Sequence, residues 1–264
     1  ELESLNQVNF STKDNKAYDN GIVLNNVSFQ YEGPKSPFVL ENVNCHISAG
    51  KITAVVGSSG SGKTSLLKLL LKFYDPTNGD IFINGDNAMS LSPKSIRENC
   101  GVVMQDGYIF SDTIGRNIAA EDGDIDMKKL KHAVKVANLE SYITKLPLGF
   151  NTKIGSSGSG ISGGQKQRIL IARAVYKNPQ FIFFDEATSA LDAKNEKIIH
   201  ENLQLFFRGK TVLIIAHRLS TVKNADQIIV LKDGKIVESG NHSELVDRRK
   251  DYYNLVKNQL ELGN

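Results

Sequence analysis

Tryptophan is absent from this chain of 264 residues, and only two cysteines occur, Cys45 and Cys100. The missing tryptophan decides nothing. Each cysteine sits inside an apolar stretch, so buried thiols in a reducing compartment are expected rather than a disulfide. No run approaches the roughly 20 apolar residues that a bilayer-crossing helix needs, because LLKLLLKF and ILIARAVY are both interrupted by charge. The chain opens polar and acidic with ELESLNQ, so a signal peptide is not expected in this stretch. No methionine stands at position 1, and a segment of a longer polypeptide is expected. Charge of one sign is scarce as well. The net charge is +3, with lysines and arginines spread along the chain rather than gathered in a stripe, which argues against nucleic acid as a partner. No solenoid-type repeat is visible.

What is present is ordinary in composition, with 40% hydrophobic and 23% charged residues. The length suits one large domain or two small ones. Residues 1–20 are polar and aperiodic and read as a linker. From Ile22 the stretches VLNNVSFQY and FVLENVNCHI alternate, and KITAVV is a continuous buried run. Asn84-Gly85 inside DIFINGDNA marks a hairpin. A mixed β region therefore occupies about residues 22–104. Beyond Gly107 the strand signal fades. DMKKLKHAVKVANLESYITKL carries Leu130, Val134, Ala137 and Tyr142 at helical spacing among lysines, which predicts a small helical unit inserted into the fold. A helix (GGQKQRILIARAVY), a strand (FIFFD), a helix (KNEKIIHENLQLFF) and a strand (KTVLIIAH) follow. Then come a hairpin turning at Asp233-Gly234 and an amphipathic helical stretch, SELVDRRKDYYNLVKNQLEL. Buried strands alternating with helices predict an α/β fold around a parallel sheet.

The hexapeptide GSSGSG occurs twice, at Gly57–Gly62 and Gly155–Gly160. The first copy continues into Lys63, Thr64 and Ser65 and fits G-x-x-x-x-G-K-[ST], with a buried strand before it and a helix after it. Glycines let the backbone curl so that N–H groups converge on phosphate oxygens, and the helix adds the positive end of its dipole. Lys63 can reach the outer phosphates and Thr64 can offer its hydroxyl to Mg²⁺. A Gly/Ser loop alone would be read as flexible linker; strand, lysine, threonine and helix together make it a phosphate cradle. FIFFDEATSALD places Asp185 and Glu186 at the end of an apolar strand. One carboxylate there can hold Mg²⁺ through a coordinated water while its neighbour activates the attacking water. A turn or helix cap would explain Asp185 alone, but not Asp-Glu in a P-loop protein. His217 ends TVLIIAH and Gln105 ends GVVMQ, and each by itself would be unremarkable. Their shared position counts, because parallel α/β sheets bind ligands at the carboxyl ends of strands.

ISGGQKQR at Ile161–Arg168 completes a set. With the P-loop, Gln105, FIFFDEATSALD and AHRLS in this order, residues 22–260 resemble the nucleotide-binding domain of an ABC transporter. The resemblance implies a P-loop NTPase (RecA-like) core with an antiparallel β subdomain and an α-helical subdomain inserted at about residues 107–178. It implies that residues 21–264 form the cassette, and that residues 1–20 tether it to a preceding membrane domain. Tyr31 matches the aromatic that stacks on adenine. The loop residues Gly57, Ser58, Ser59, Gly60, Ser61, Gly62, Lys63, Thr64 and Ser65 match the phosphate cradle, and Thr64, Gln105 and Asp185 the Mg²⁺ set. Glu186 matches the general base, and His217 the contact to the γ-phosphate. Ser162, Gly163, Gly164 and Gln165 match the signature, which in this family faces the partner's nucleotide, and Asp192 the loop that communicates across the dimer. The implied partners are a second cassette, head to tail around ATP, and transmembrane domains of the same exporter on the same polypeptide. The implied location is the cytoplasmic face of the inner membrane.

Two loops in one chain thus serve two nucleotides. The second GSSGSG precedes the signature at a position where similar exporters carry charged residues that contact membrane domains; here Ser156, Ser157 and Ser159 replace that charge, which implies either a lost electrostatic contact or, the favoured reading, a differently built coupling surface. LPLGFNTKIG and QKQRILIARAVYKNP look most like bacterial peptide and bacteriocin exporters, some of which carry a leader-removing cysteine protease. Lipid or drug export is the nearest alternative. A DNA-maintenance clamp would need a long heptad segment, and a GTPase switch would need Asn-Lys-x-Asp, which KNAD at Lys223–Asp226 does not supply.

Overall fold

The alternating stretch GIVLNNVSF forms strand β1 (Gly21–Phe29), and LENVNCHIS forms β2 (Leu40–Ser48), its antiparallel neighbour. These elements come from a computed structural model, which describes residues 20–262 apart from positions 34, 105, 122, 156, 157, 159, 186–192 and 217–221. The alternation in β1 is interrupted by Asn25-Asn26. Asn26 takes a left-handed backbone at φ 50°, and the register shifts there, so the bulge turns both asparagines outward and returns Val27 to the core. β4 (Asn78–Ile83) and β5 (Asp86–Asn87) complete a four-stranded sheet in the order β2-β1-β4-β5. Asn84 at φ 50° and Gly85 at φ 87° form the tight turn that joins them, as their sequence predicts.

The second sheet has six strands. β3 (Ile52–Val56), β6 (Cys100–Val103), β9 (Phe181–Asp185) and β10 (Thr211–Ile215) run parallel with β11 (Gln227–Lys232), while β12 (Lys235–Gly240) is antiparallel to β11. The order is β12-β11-β3-β10-β9-β6. Strand side chains alternate between two cores, as a sheet covered on both faces requires. Val55, Phe183, Leu213 and Ile229 pack with the first sheet and helix α1 (Lys63–Leu70). Ala54, Phe184, Val212 and Ile228 face the opposite way, among buried residues of other helices.

Helix α2 (Pro93–Glu98) joins the first core through its buried Ile96; the helices facing the second core include α3 (Ile114–Ala119), α4 (Met127–Val136), α5 (Glu140–Ile143), α6 (Gly163–Lys177) and α7 (Ala193–Phe206). Leu130, Val134 and Ala137 are fully or almost fully buried, so the helical spacing read from the sequence is the packed face of α4. The periodic stretch is divided, however. Asn138 at φ 52° stops α4 before α5 begins. Two residues of strand on either side, β7 (Asp112–Thr113) and β8 (Lys153–Ile154), pair within this region, where no strand signal is legible. The C-terminal stretch is likewise divided at Arg249, φ 54°, into α8 (His242–Arg248) and α9 (Asp251–Leu262). Both cysteines are free thiols, Cys100 buried and Cys45 partly so.

Candidate functional site

Sheet register aligns the strand ends that the sequence singled out. Ile215 pairs with Val55 on one side and with Asp185 on the other, and Val103 pairs with Phe184. The carboxyl ends of β3, β10, β9 and β6 therefore share one edge, the edge where doubly wound sheets receive ligands. Gly57 and Asp185 lie on that edge. Gln105 and His217 each follow a strand of this row by two positions in sequence, and Glu186 follows Asp185; all three, and Asp192, lie outside the described residues.

The first glycine loop is shaped by crowding at its ends. A Cβ on Gly57 (φ 155°) would meet the Leu231 carbonyl oxygen at 2.1 Å, and one on Gly62 (φ 102°) the Val39 oxygen at 2.8 Å. Gly60 (φ 79°) faces open space. Gly62 caps α1 with no side-chain hydrogen bond, and no acidic residue occupies the first turn. The helix start thus offers N–H groups and a positive dipole end to an anion. The Lys63 ammonium is folded back on the loop and donates to the Gly57 and Ser58 carbonyls at 3.0 and 2.7 Å. The Ser61 hydroxyl is buried and has no hydrogen-bond partner in this structure. An uncapped helix start and an orphaned hydroxyl around one loop suit a polyphosphate.

The loop is tied to the acidic strand end. Thr64 Oγ1 donates to Asp185 Oδ2 at 3.2 Å, although 121 residues separate them, and Asp185 is only 3% exposed. A hydroxyl beside one buried carboxylate is a hard-oxygen pair of the kind Mg²⁺ takes when substrate phosphates and waters complete its shell. Among the described residues no three His, Cys, Asp or Glu side chains converge as a self-sufficient metal cage. The aromatic residue is tied in as well. Tyr31, just past β1, makes a 2.9 Å hydrogen bond between its hydroxyl and Ser65 Oγ, and the residue remains 43% exposed. Tyr74 meets it edge-on at 5.2 Å and Lys68 lies 5.8 Å from its centroid. Tyr74 and Lys68 are residues that the sequence reading missed. Lys68 could have been found from its i+3 spacing after Ser65, which puts both on one helix face.

Ser162–Gln165 stands elsewhere. Ser162 caps α6, accepting from the Gln165 N–H at 3.2 Å while Gln165 Oε1 accepts from the Ser162 N–H at 2.8 Å, a reciprocal capping box. Ser162 and Gly163 are exposed. The far end of α6 packs on β6, where the position of a Gly101 Cβ lies 3.4 Å from the Ala174 oxygen. Twelve residues of helix, about 18 Å, separate Ala174 from Ser162. β6 itself is three strands from β3, about 14 Å at ordinary strand spacing. The loop at Gly57–Thr64 gathers Tyr31, Ser65 and Asp185 around itself; Ser162–Gln165 forms a second, outward-facing helix start.

Comparison with known proteins identifies the family. The ABC transporter family model matches residues 40–189. The chain is 46% identical over 242 residues to the leukotoxin translocation ATP-binding protein LktB of Mannheimia haemolytica, covering 92% of this chain and 34% of that protein. The Bibersteinia trehalosi protein of the same name matches equally. The chain therefore spans about a third of the length of these curated relatives. A solved structure of a bacterial Atm1-family ABC exporter with ATP bound superposes with a TM-score of 0.87 at 37% identity, over 92% of this chain and 42% of that one.

Proposed function

This chain belongs to the ABC transporter family, and from that premise we propose that it is the ATP-binding and ATP-hydrolysing cassette of an exporter that moves polypeptides. The observation that carries the reading is the Thr64–Asp185 hydrogen bond, which unites phosphate loop and acidic strand end in one polar site at the carboxyl edge of the sheet. The loop Gly57–Ser65 cradles the triphosphate, Lys63 swings from its own loop carbonyls to the outer phosphates, and Tyr31 stacks on the base. Thr64 and Asp185, with Gln105, would hold Mg²⁺, which supplies charge neutralisation on the β- and γ-phosphate oxygens. Glu186, next to Asp185 in sequence, takes the proton of the attacking water, and His217 steadies the γ-phosphate. Ser162 and the first N–H groups of α6 serve the nucleotide held by a second copy.

Polypeptide cargo is favoured by the higher identity to a leukotoxin translocation protein than to the Atm1-family exporter. Membrane-spanning domains, a place at the cytoplasmic face of the membrane and a head-to-tail pair of cassettes belong to the same reading. No helix among the described residues is long and apolar enough to cross a membrane.

Complementation between two inactive chains tests the shared site. Glu186→Gln keeps the signature and loses the base; Ser162→Arg keeps the base and blocks the signature. Each alone should be nearly inactive, with Glu186→Gln down roughly 10²–10⁴-fold as expected for a lost base. Mixing them assembles one intact site from the two chains, so turnover should reappear in the mixture and vanish on dilution. A mixture no more active than its components overturns the reading.

A further inference from the structure

The stop at the end of α4 does more than end a helix. Asn138 takes its left-handed conformation at φ 52° and its backbone N–H bonds the Lys135 carbonyl at 3.1 Å. Glycine would satisfy that conformation equally well, so the side chain is free to serve another purpose. Its Nδ2 donates to Asn195 Oδ1 at 2.9 Å, across 57 residues of sequence. Its carbonyl accepts from Arg168 Nη1 at 2.9 Å, and Arg168 Nε in turn donates to the Gly164 carbonyl at 3.3 Å. One run of hydrogen bonds thus leads from the signature glycine through Arg168 and Asn138 to Asn195, in the first turn of α7. Asn195 follows Asp192 by three positions and Glu186 by nine.

We propose that Asn138 is a positioning residue that couples the two nucleotide sites, by linking the signature turn to the helix that follows the Glu186–Asp192 segment. The inference rests on the shared-site reading above. There, Gly164 senses the partner's nucleotide, whereas Glu186 acts on this chain's own. Displacement of the α6 start on engaging the partner's ATP moves the Arg168 guanidinium, which holds the Asn138 carbonyl, and the Asn138 amide passes that movement to α7. A second tie shows why the link is separable from folding. Asn202, two turns further along α7, donates to the Val136 and Lys135 carbonyls at 3.1 and 3.4 Å. With Ile199 and Leu130 fully buried between these helices and their neighbours, α7 stays docked on α4 without the Asn138 side chain.

Asn138→Gly keeps the backbone geometry and deletes the amide; Asn195→Ala deletes its partner from the other side. Spatial continuity alone does not demonstrate coupling, so the readout is cooperativity together with a double-mutant cycle. ATP turnover of the wild-type chain should rise with a Hill coefficient above 1, approaching about 2 for two coupled sites. In Asn138→Gly and in Asn195→Ala it should fall to about 1, with ADP affinity unchanged and the thermal midpoint lowered by no more than the roughly 2–4 °C that one hydrogen bond is worth, and the double variant should lose nothing more. A purely structural bond would lower the thermal midpoint and leave the Hill coefficient alone, which would overturn the proposal. So would cooperativity retained in both single variants while the Glu186→Gln and Ser162→Arg mixture regains activity; that outcome leaves the shared site standing. A non-cooperative wild-type chain overturns the coupling, and a silent mixture overturns the shared site with it.

Discussion

On the proposed reading, removing the ring of Tyr31 should separate base recognition from phosphate recognition. Tyr31→Ala deletes the aromatic side chain of a residue that is 43% exposed, its edge contacts to Phe29 and Tyr74 at 4.8 and 5.2 Å and its hydrogen bond to Ser65. Aromatic pairs contribute about 0.5–1.5 kcal/mol each and a neutral hydrogen bond about 1 kcal/mol net. Halved for that exposure, the cost to stability is about 1–2 kcal/mol. Stacking on a base is worth about 1–3 kcal/mol, so affinity for ADP should fall roughly 5- to 150-fold. Tyr31→Phe keeps the ring and loses only the hydroxyl, and should bind ADP nearly as wild type does. Calorimetric titration with ADP avoids turnover, and inorganic pyrophosphate is the control that lacks a base. Pyrophosphate binding should be indifferent to both substitutions. Equal weakening of ADP and pyrophosphate by Tyr31→Ala would show that Tyr31 acts by holding Ser65 and the phosphate loop, and the stacking argument would fail.

Two further outcomes follow from local geometry. Gly57→Ala must fit a Cβ 2.1 Å from a backbone oxygen of β11 and hold φ at 155°, so it should destabilise by about 3–5 kcal/mol. Gly60→Ala carries only its φ of 79° with open space around it and should cost about 1 kcal/mol; denaturant midpoints that rank the two in the reverse order would refute this. Burial pushes the Cys100 thiol from 9.0 up to about 12, with Lys177 pulling it down. Its proton stays on in the folded protein while the unfolded chain loses it above pH 9, so the stabilisation present below pH 9 is lost as pH climbs toward 12. Denaturant midpoints at pH 8 and pH 11 should therefore drop further in the wild type than in Cys100→Ala, and the native thiol should resist alkylation at pH 8.

Strands and hairpins were legible in the sequence because their signals are local. Asn84-Gly85 and Asp233-Gly234 both take positive φ in two-residue turns, and ITAVV, FIFFD and TVLII are the buried central strands. The glycine loop after β3 and the polar end of β9 were legible for the same reason: a contiguous motif and a polar residue closing an apolar run. Three features were not. β7 and β8 have two residues each, too few to show a period. The break at Arg249 is a single left-handed residue in DRRKD, and arginine carries no preference for that conformation. The Tyr31–Ser65 and Asn138–Asn195 contacts join positions 34 and 57 residues apart, and only the packing of whole elements brings them together.

The repeated hexapeptide shows how far local sequence can carry a function. Its three glycines have the same spacing in both copies, yet different ones are required. In the first copy the first and last, Gly57 and Gly62, are crowded and Gly60 is open. In the second, a Cβ on Gly155 would meet the Phe110 oxygen at 2.9 Å and one on Gly158 the Lys153 carbonyl carbon at 2.4 Å, while Gly160 has nothing within 4 Å. The glycines after β3 let a loop press on β11 and the β1–β2 connection and leave a bare helix start. Of those after β8, Gly155 lies against the segment before β7 and Gly158 against β8, and Ser162 further on caps the next helix with its hydroxyl. Six identical residues thus become two different devices because the strand before and the helix after each copy decide which backbone faces are buried. The chemistry of each loop is a property of that junction, and a graft of either hexapeptide without its flanking strand would carry neither.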